Sequence, residues 1–322
     1  MNWMMKKRKN KGEKLMKKFA WMFLAVIALA GCQKEAKPEE EKEQIPQPSQ
    51  GPYTLTLQAS KGADTKALSL DESTLNAYWK DGEQVAVYLG GTYLGMLTAD
   101  ADDSDNHKAT LSGELTTVEN VQQGSELTLL FPRADWDYTG QNGTAPSETG
   151  SLATKYDYAT ASVTVASLDA INKTITVTSG ANFQNQQSMY RFGFKAGGNT
   201  LAVNGFSVGS ANNALVRSRS WSGGDWTENC GTIDVNTSGA QAVSYVSLRN
   251  TLVGTPTQQQ IADKSTIDTY YFYVIGSDNA LYTGQKKIPA QVMDVQGKFI
   301  SAQNISVTKS DLSKSGTTTV VW

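Results

Sequence analysis

The chain has 322 residues, 29 Lys+Arg against 31 Asp+Glu, one histidine and two cysteines. A net charge of −2 gives no basic surface to attract nucleic acid. A single histidine and two isolated cysteines rule out histidine-cluster zinc sites.

In chain order, the first element is an apolar run, Phe19 to Gly31, thirteen residues without a charge. As a helix it would span roughly 20 Å, short of a hydrocarbon core of about 30 Å. Lys17 and Lys18 precede it, so it reads as the charged head and apolar body of a secretory signal, residues 1–31. The stretch MKKFAWMFLAVIALAGC is complete in itself, which points to Met16 as the true start. The run ends Leu29-Ala30-Gly31-Cys32, which resembles the lipobox of bacterial lipoproteins. That resemblance implies cleavage after Gly31, lipidation of Cys32 and several acyl chains for stable anchoring in a lipid bilayer. Gln33 follows, instead of the aspartate that in the lipoprotein pattern retains the protein at the inner membrane. An outer-membrane location is therefore expected.

Residues 32–52 carry glutamates, lysines and four prolines, with Ile45 as their one large apolar side chain. Such a segment cannot bury enough surface to fold and reads as a disordered tether. Its acidic start resembles the surface-export signals of some Gram-negative lipoproteins, so surface exposure is expected. Removal of residues 1–31 takes away eight basic residues and one acidic one, which leaves 21 Lys+Arg against 30 Asp+Glu. A mature charge of −9 argues against nucleic acid and against electrostatic binding to anionic lipid. Cys230 is then the last thiol, so no intrachain disulfide can form.

Beyond residue 52 the pattern is all-β. YTLTLQAS puts Tyr53, Leu55 and Leu57 on one face; EQVAVYLG does so with Val85, Val87 and Leu89 before a turn at Gly90-Gly91. The polar stretch TADADDSDNHKAT carries Asp100, Asp102, Asp103 and Asp105, a weak cation candidate. It lacks the glycine and the final glutamate of an EF-hand loop, and reads as a solvated hairpin loop. ELTLLFP is a short strand closed by Pro132, and SVTVASL with NKTITVTS forms a hairpin across Asp169–Asn172. Around residue 180 the polar, glycine-containing TSGANFQNQQS separates an N-terminal sandwich, 53–180, from a C-terminal one, 181–322.

In the second half YRFGFK and TYYFYV read as core strands, WSGGDW as a loop whose Trp221 and Trp226 could stack on sugar rings, and PTQQQIADK as a short helix. GKFISAQNISV supplies a late strand and TTTVVW ends the chain. His107 alone could serve a Ser-His-Asp triad; no GxSxG elbow or GxxxxGK[ST] loop occurs, and no carboxylate pair stands out. The expectation is a protein that is not an enzyme and needs no cofactor.

YWKDGEQVAVY resembles the W-x-x-G-D-x-I-x-V strand start of the fimbrillins, the lipoprotein-derived subunits of type V pili. Trp79, Gly82, Val85 and Val87 match, while Asp81-Gly82 reverses the usual order. GELTTVENVQQGSELTLLFPR resembles the family's strand-and-YP segment, with Phe131-Pro132 in that role, and the strands from Tyr271 on resemble its closing strands. The resemblance implies two tandem transthyretin-like β-sandwich domains and a role as structural, anchor or accessory subunit in adhesion. It also implies assembly with other pilus subunits by β-strand addition, and a fimbrium as a further location. The first strand, YTLTLQAS, would be removed, and a neighbour's C-terminal strand around Val320, Val321 and Trp322 would replace it. No arginine lies between Cys32 and Arg133, so Lys61 and Lys66 are the candidate maturation cleavage sites. Host or bacterial surface ligands are further expected partners. The alternative is a surface glycan-binding lipoprotein of a polysaccharide-utilisation system, with Trp221 and Trp226 as its platform.

Overall fold

A computed structural model describes residues 51–61, 69–71, 74–76, 78–147, 151–252, 267–290 and 300–310. The fold is all-β, as the period-two patterns require. The first half contains β1 (Tyr53–Ser60), a small hairpin of β2 (Ser69–Asp71) and β3 (Thr74–Asn76), β4 (Gln84–Leu89), β5 (Thr92–Ala101), β6 (Lys108–Leu115) and β7 (Glu126–Phe131). Then come β8 (Asp135–Asp137), one helical turn α1 (Ser151–Lys155), β9 (Ala159–Asp169), β10 (Thr174–Val177), β11 (Ala181–Asn182) and β12 (Gln184–Asn185). The second half contains β13 (Ser188–Ala196), β14 (Asn199–Leu201), β15 (Val203–Ser210), β16 (Val216–Ser222), β17 (Asp225–Cys230) and β18 (Ile233–Gln241). It ends with β19 (Val243–Leu248), β20 (Ile267–Gly276), β21 (Leu281–Pro289) and β22 (Ile300–Lys309).

The first sheet runs β10-β1-β6-β5-β4-β7-β9-β12, and β10 also pairs with β9, so the sheet closes on itself. Closure removes the exposed edges that invite unwanted pairing. Its interior holds Tyr53, Leu55, Leu57, Val85, Val87, Leu97, Leu111, Leu127, Leu129 and Val163. Alternation explains β1, whose residues are buried and exposed in strict turn from Tyr53 to Ala59. It does not explain β4, where Ala86 is as buried as Val85 and Val87, because that strand is covered on both faces. Asp169 closes the β9–β10 hairpin by accepting from the backbone N–H groups of Ile171 and Asn172.

The second sheet runs β14-β13-β22-β21-β20-β15-β18, with β19 also on β13. Tyr190, Phe192 and Phe194 of YRFGFK and Tyr270, Phe272 and Val274 of TYYFYV fill its core, where Phe192 and Phe272 meet edge to face at 5.1 Å. Tyr271 and Tyr273, on the other face of β20, are exposed. The helix expected around PTQQQIADK lies outside the described residues; the helical turn that is present, α1, had no periodic signal at five residues.

Trp136 and Tyr138 belong to the second core although they precede the second sheet by some fifty residues in sequence. Gln141, fully buried, ties this segment down: its side-chain amide donates to the carbonyls of Tyr138 and Ser247 and accepts from the Ser247 N–H.

WSGGDW, expected as a loop, is the tip of the β16–β17 hairpin. Gly223 and Gly224 have φ of 65° and 92° and make a two-residue turn, with Trp221 opposite Trp226. This turn packs against the Gly90-Gly91 turn of β4–β5, backbone on backbone. A Cβ on Gly91 would come within 2.6 Å of the Gly223 Cα, so only glycine allows the approach.

Candidate functional site

The site that the fold singles out is the downstream end of β1. Continuing the alternation of Tyr53, Leu55, Leu57 and Ala59, the next inward position is Lys61, and it is 1% exposed. A lone ammonium there would cost several kcal/mol, so it must be paired. Its Nζ lies 3.0 Å from Glu83 Oε2 and 3.2 Å from Asp157 Oδ2, and donates to the Tyr78 carbonyl at 3.1 Å. It also stands 3.7 Å from the Phe131 ring centroid and 4.4 Å from that of Trp79. Trp79 in turn packs edge-on against Phe131 and Phe183. The lysine thus joins the end of β1 to the turn before β4 and to the segment entering β9.

Among the described residues two carboxylates share this ammonium, so the largely buried cluster carries an excess negative charge. Desolvation, followed by repulsion from Asp157, raises the Glu83 pKa against the pull of Lys61. The folded chain therefore holds a proton on Glu83 more tightly than the unfolded chain does. This contribution is fully present below the ordinary carboxylate range and is lost as pH rises through the raised value. Glu83→Gln should flatten the decline in melting temperature above about pH 4.3. An identical slope in both proteins would place that titration elsewhere.

Along its length β1 is gripped on both sides. Every residue from Tyr53 to Ser60 pairs antiparallel with β6, from Leu115 back to Lys108. On the other side β1 runs parallel to β10 at Thr54–Leu55 and to β11 at Ala59–Ser60. Taking β1 out would leave a groove between β6 and the β10–β11 pair, with four apolar positions and one lysine position facing the core.

The other candidate residues fall as follows. Cys32, Lys66, Val320, Val321 and Trp322 lie outside the described residues. Trp221 and Trp226 are half-buried. The Trp221 indole N–H donates to the Gly90 carbonyl at 3.0 Å, and Trp226 lies between Trp136, at 4.2 Å, and the Arg219 guanidinium, at 3.8 Å. Arg219 itself is buried and shares Glu228 with Arg249; burial and that second guanidinium bring its pKa down to about 10. Asp100, Asp102, Asp103 and Asp105 sit at the β5–β6 turn. Asp102 accepts from the Ser104 hydroxyl and N–H, and Asp105 pairs with Lys108 at 2.8 Å; these contacts lower both carboxyls. Among the described residues no group of three or more His, Cys, Asp or Glu is arranged to hold a metal. His107 stacks at 5.6 Å on Tyr78.

The Lys61 cluster escaped sequence reasoning, although the alternation of β1 carried one residue further would have placed Lys61 inside. Its acidic partners, 22 and 96 residues away, left no local signal.

No protein-family model matches the chain, and no curated protein matches it. Among solved structures it is similar to a candidate cell adhesion protein of Bacteroides uniformis, at 12% identity over 79% of this chain and 91% of that one, with a TM-score of 0.38. A candidate cell adhesion protein of Bacteroides ovatus aligns at 14% identity over 80% and 96%, with a TM-score of 0.35. A major pilin of Streptococcus pyogenes aligns at 11% identity over 81% and 98%, with a TM-score of 0.20. Likeness this distant carries no function across.

Proposed function

We propose that the chain is a non-enzymatic, fimbrillin-like surface lipoprotein, a structural, anchor or accessory subunit of a type V pilus in which β1 is the strand exchanged on assembly. The observation that carries the reading is the groove β1 occupies. One continuous strand, the first of the described residues, supplies a whole column of the core, and its neighbours β6, β10 and β11 are separate elements that stay behind when it leaves. Strand addition into such a groove draws affinity from main-chain hydrogen bonds and register from alternating side chains. The lipobox around Cys32 and the tether after it supply delivery to the outer membrane and anchoring there.

Burial of Lys61 bears on maturation. A lysine-specific protease must take the side chain into its own pocket, and here that side chain is enclosed by two carboxylates and two rings. Of the two candidates we therefore favour Lys66 for cleavage of the folded chain, with β1 leaving with Lys61 attached. Protein taken from the cell surface should begin either at Cys32, for an anchor, or just past Lys66, for a polymerising subunit. Purified chain cut by a lysine-specific protease and incubated should form heat-resistant ladders on gels. Monomers only, from fully cut and folded protein, would remove strand exchange from the reading.

A further inference from the structure

The small sheet β17-β16-β8 joins two strands of the second half to a strand of the first. Its register fixes which side chains share a face. Ser218 lies opposite both Asp137 and Asn229, and Ser220 lies opposite both Asp135 and Thr227. Residues directly opposite one another point to the same side of a sheet. One face is therefore two rows of three: Asp137-Ser218-Asn229 and Asp135-Ser220-Thr227. The other face carries Trp136, Arg219 and Glu228, and Trp136 is 1% exposed in the core. Burial of that face locks the register, since a one-residue slip would turn every side chain over.

All six side chains of the first face are polar, and all are exposed or half-exposed. With Thr139 and Arg217, and with parts of Trp136 and Arg219 behind them, they line an open cleft of about 500 Å³, within the range of small-ligand sites. From this we infer that the outward face of β8, β16 and β17 binds a neutral, polyhydroxylated ligand, a glycan chain.

The chemistry selects that class. Strands stand about 4.8 Å apart and alternate residues about 6.7 Å apart, so the face offers a hydrogen-bonding group at intervals comparable with the span of a sugar ring. Asp135 and Asp137 are acceptors suited to pairs of hydroxyls, Asn229 and Arg217 are donors, and Ser218, Ser220 and Thr227 serve as either. Asp137 is held in place because Oδ1 accepts from the Thr139 N–H at 2.8 Å and from its hydroxyl at 2.7 Å. Asp135 and Asp137 offset Arg217 and the Glu228-paired Arg219, which leaves no excess positive charge to draw phosphates and polyanions. The face presents no exposed apolar side chain, and so lacks the aromatic anchors of a protein–protein hot spot. Trp226, Arg219 and Trp136 stiffen the sheet from behind. This site is on the opposite face of the β16–β17 hairpin from the two indoles expected from sequence to hold sugar.

The test is independent of assembly. Full-length, lipid-free chain is run on native gels containing mannan, starch or galactan. Wild type should be retarded by at least one polysaccharide, and Asp135→Ala/Asn229→Ala should lose at least about tenfold in apparent affinity with an unchanged melting temperature. The isosteric Asp135→Asn should weaken retardation with the fold intact. Lys195→Ala, at an exposed position of β13 outside this sheet, should behave as wild type. Absence of retardation on all three gels, or retardation that survives the double substitution, overturns the inference.

Discussion

Lys61→Ala is expected to destabilise the folded chain by about 3–5 kcal/mol, the range for breaking a buried ion pair from one side. The magnitude follows from what stays behind. Asp157 is 5% exposed, and one of its carboxylate oxygens has no hydrogen-bond partner among the described residues. Glu83 would lose the ammonium at 3.0 Å, and the Phe131 and Trp79 rings would lose the cation above them. Denaturant melts should show the midpoint falling by this energy divided by the slope, with the slope itself unchanged, as for a loss of stability without a change in compactness. A triple variant, Lys61→Met with Glu83→Gln and Asp157→Asn, should recover much of the loss, because neutral groups of similar shape carry no desolvated charge. A drop of less than about 1 kcal/mol in Lys61→Ala would mean that water solvates the carboxylates and that Lys61 does not fasten β1.

The second large effect concerns the strand that replaces β1 in the proposed assembly. Whatever enters the groove meets Glu83 and Asp157 without their lysine, so it must bring a cation to that end. The C-terminal residues 311–322 lie outside the described part of the structure, and their sequence can be set against the column of β1. Taken in reverse, Trp322 and Val320 fall at Tyr53 and Leu55 and Lys314 at Lys61, with the smaller Thr318 and Gly316 at Leu57 and Ala59. In the forward direction the lysine falls at the apolar end. The expected donor therefore runs opposite to β1, parallel to β6 and antiparallel to β10 and β11.

Val320→Asp should abolish ladder formation after cleavage, since a carboxylate at the fully buried Leu55 position costs several kcal/mol, well over a hundredfold in affinity. Lys314→Ala should slow ladders strongly at neutral pH and less as the pH falls and Glu83, whose pKa is raised by desolvation, takes up a proton. Lys314→Arg should restore most of the rate. Ladders indifferent to Lys314 at every pH, or tolerant of Val320→Asp, would rule out this register.

Strands could be read directly wherever one face is buried and the other wet, because alternation is then a property of neighbouring residues. β1, the β9–β10 hairpin and the aromatic strands β13 and β20 were legible for this reason. The fate of Lys61 was not. A lysine in a polar, glycine-containing stretch looks accessible to a protease until Glu83 and Asp157 are brought to it from other parts of the chain. WSGGDW misled in the opposite direction: its glycines suggested an irregular loop, yet positive φ at two adjacent glycines is what a tight hairpin requires.

The chain's own order of residues determined the β class, the column of side chains that β1 contributes, and the expectation of a lipidated Cys32, since each depends on residues close in sequence. The tertiary structure alone decided that Lys61 is enclosed, that two glycine turns pack backbone on backbone, and that Asp135 and Asp137 share a face with Ser218, Ser220, Thr227 and Asn229. Those outcomes depend on pairing between segments about twenty to more than a hundred residues apart, where the partner and its register are chosen by burial of the whole core and leave no periodic trace along the chain.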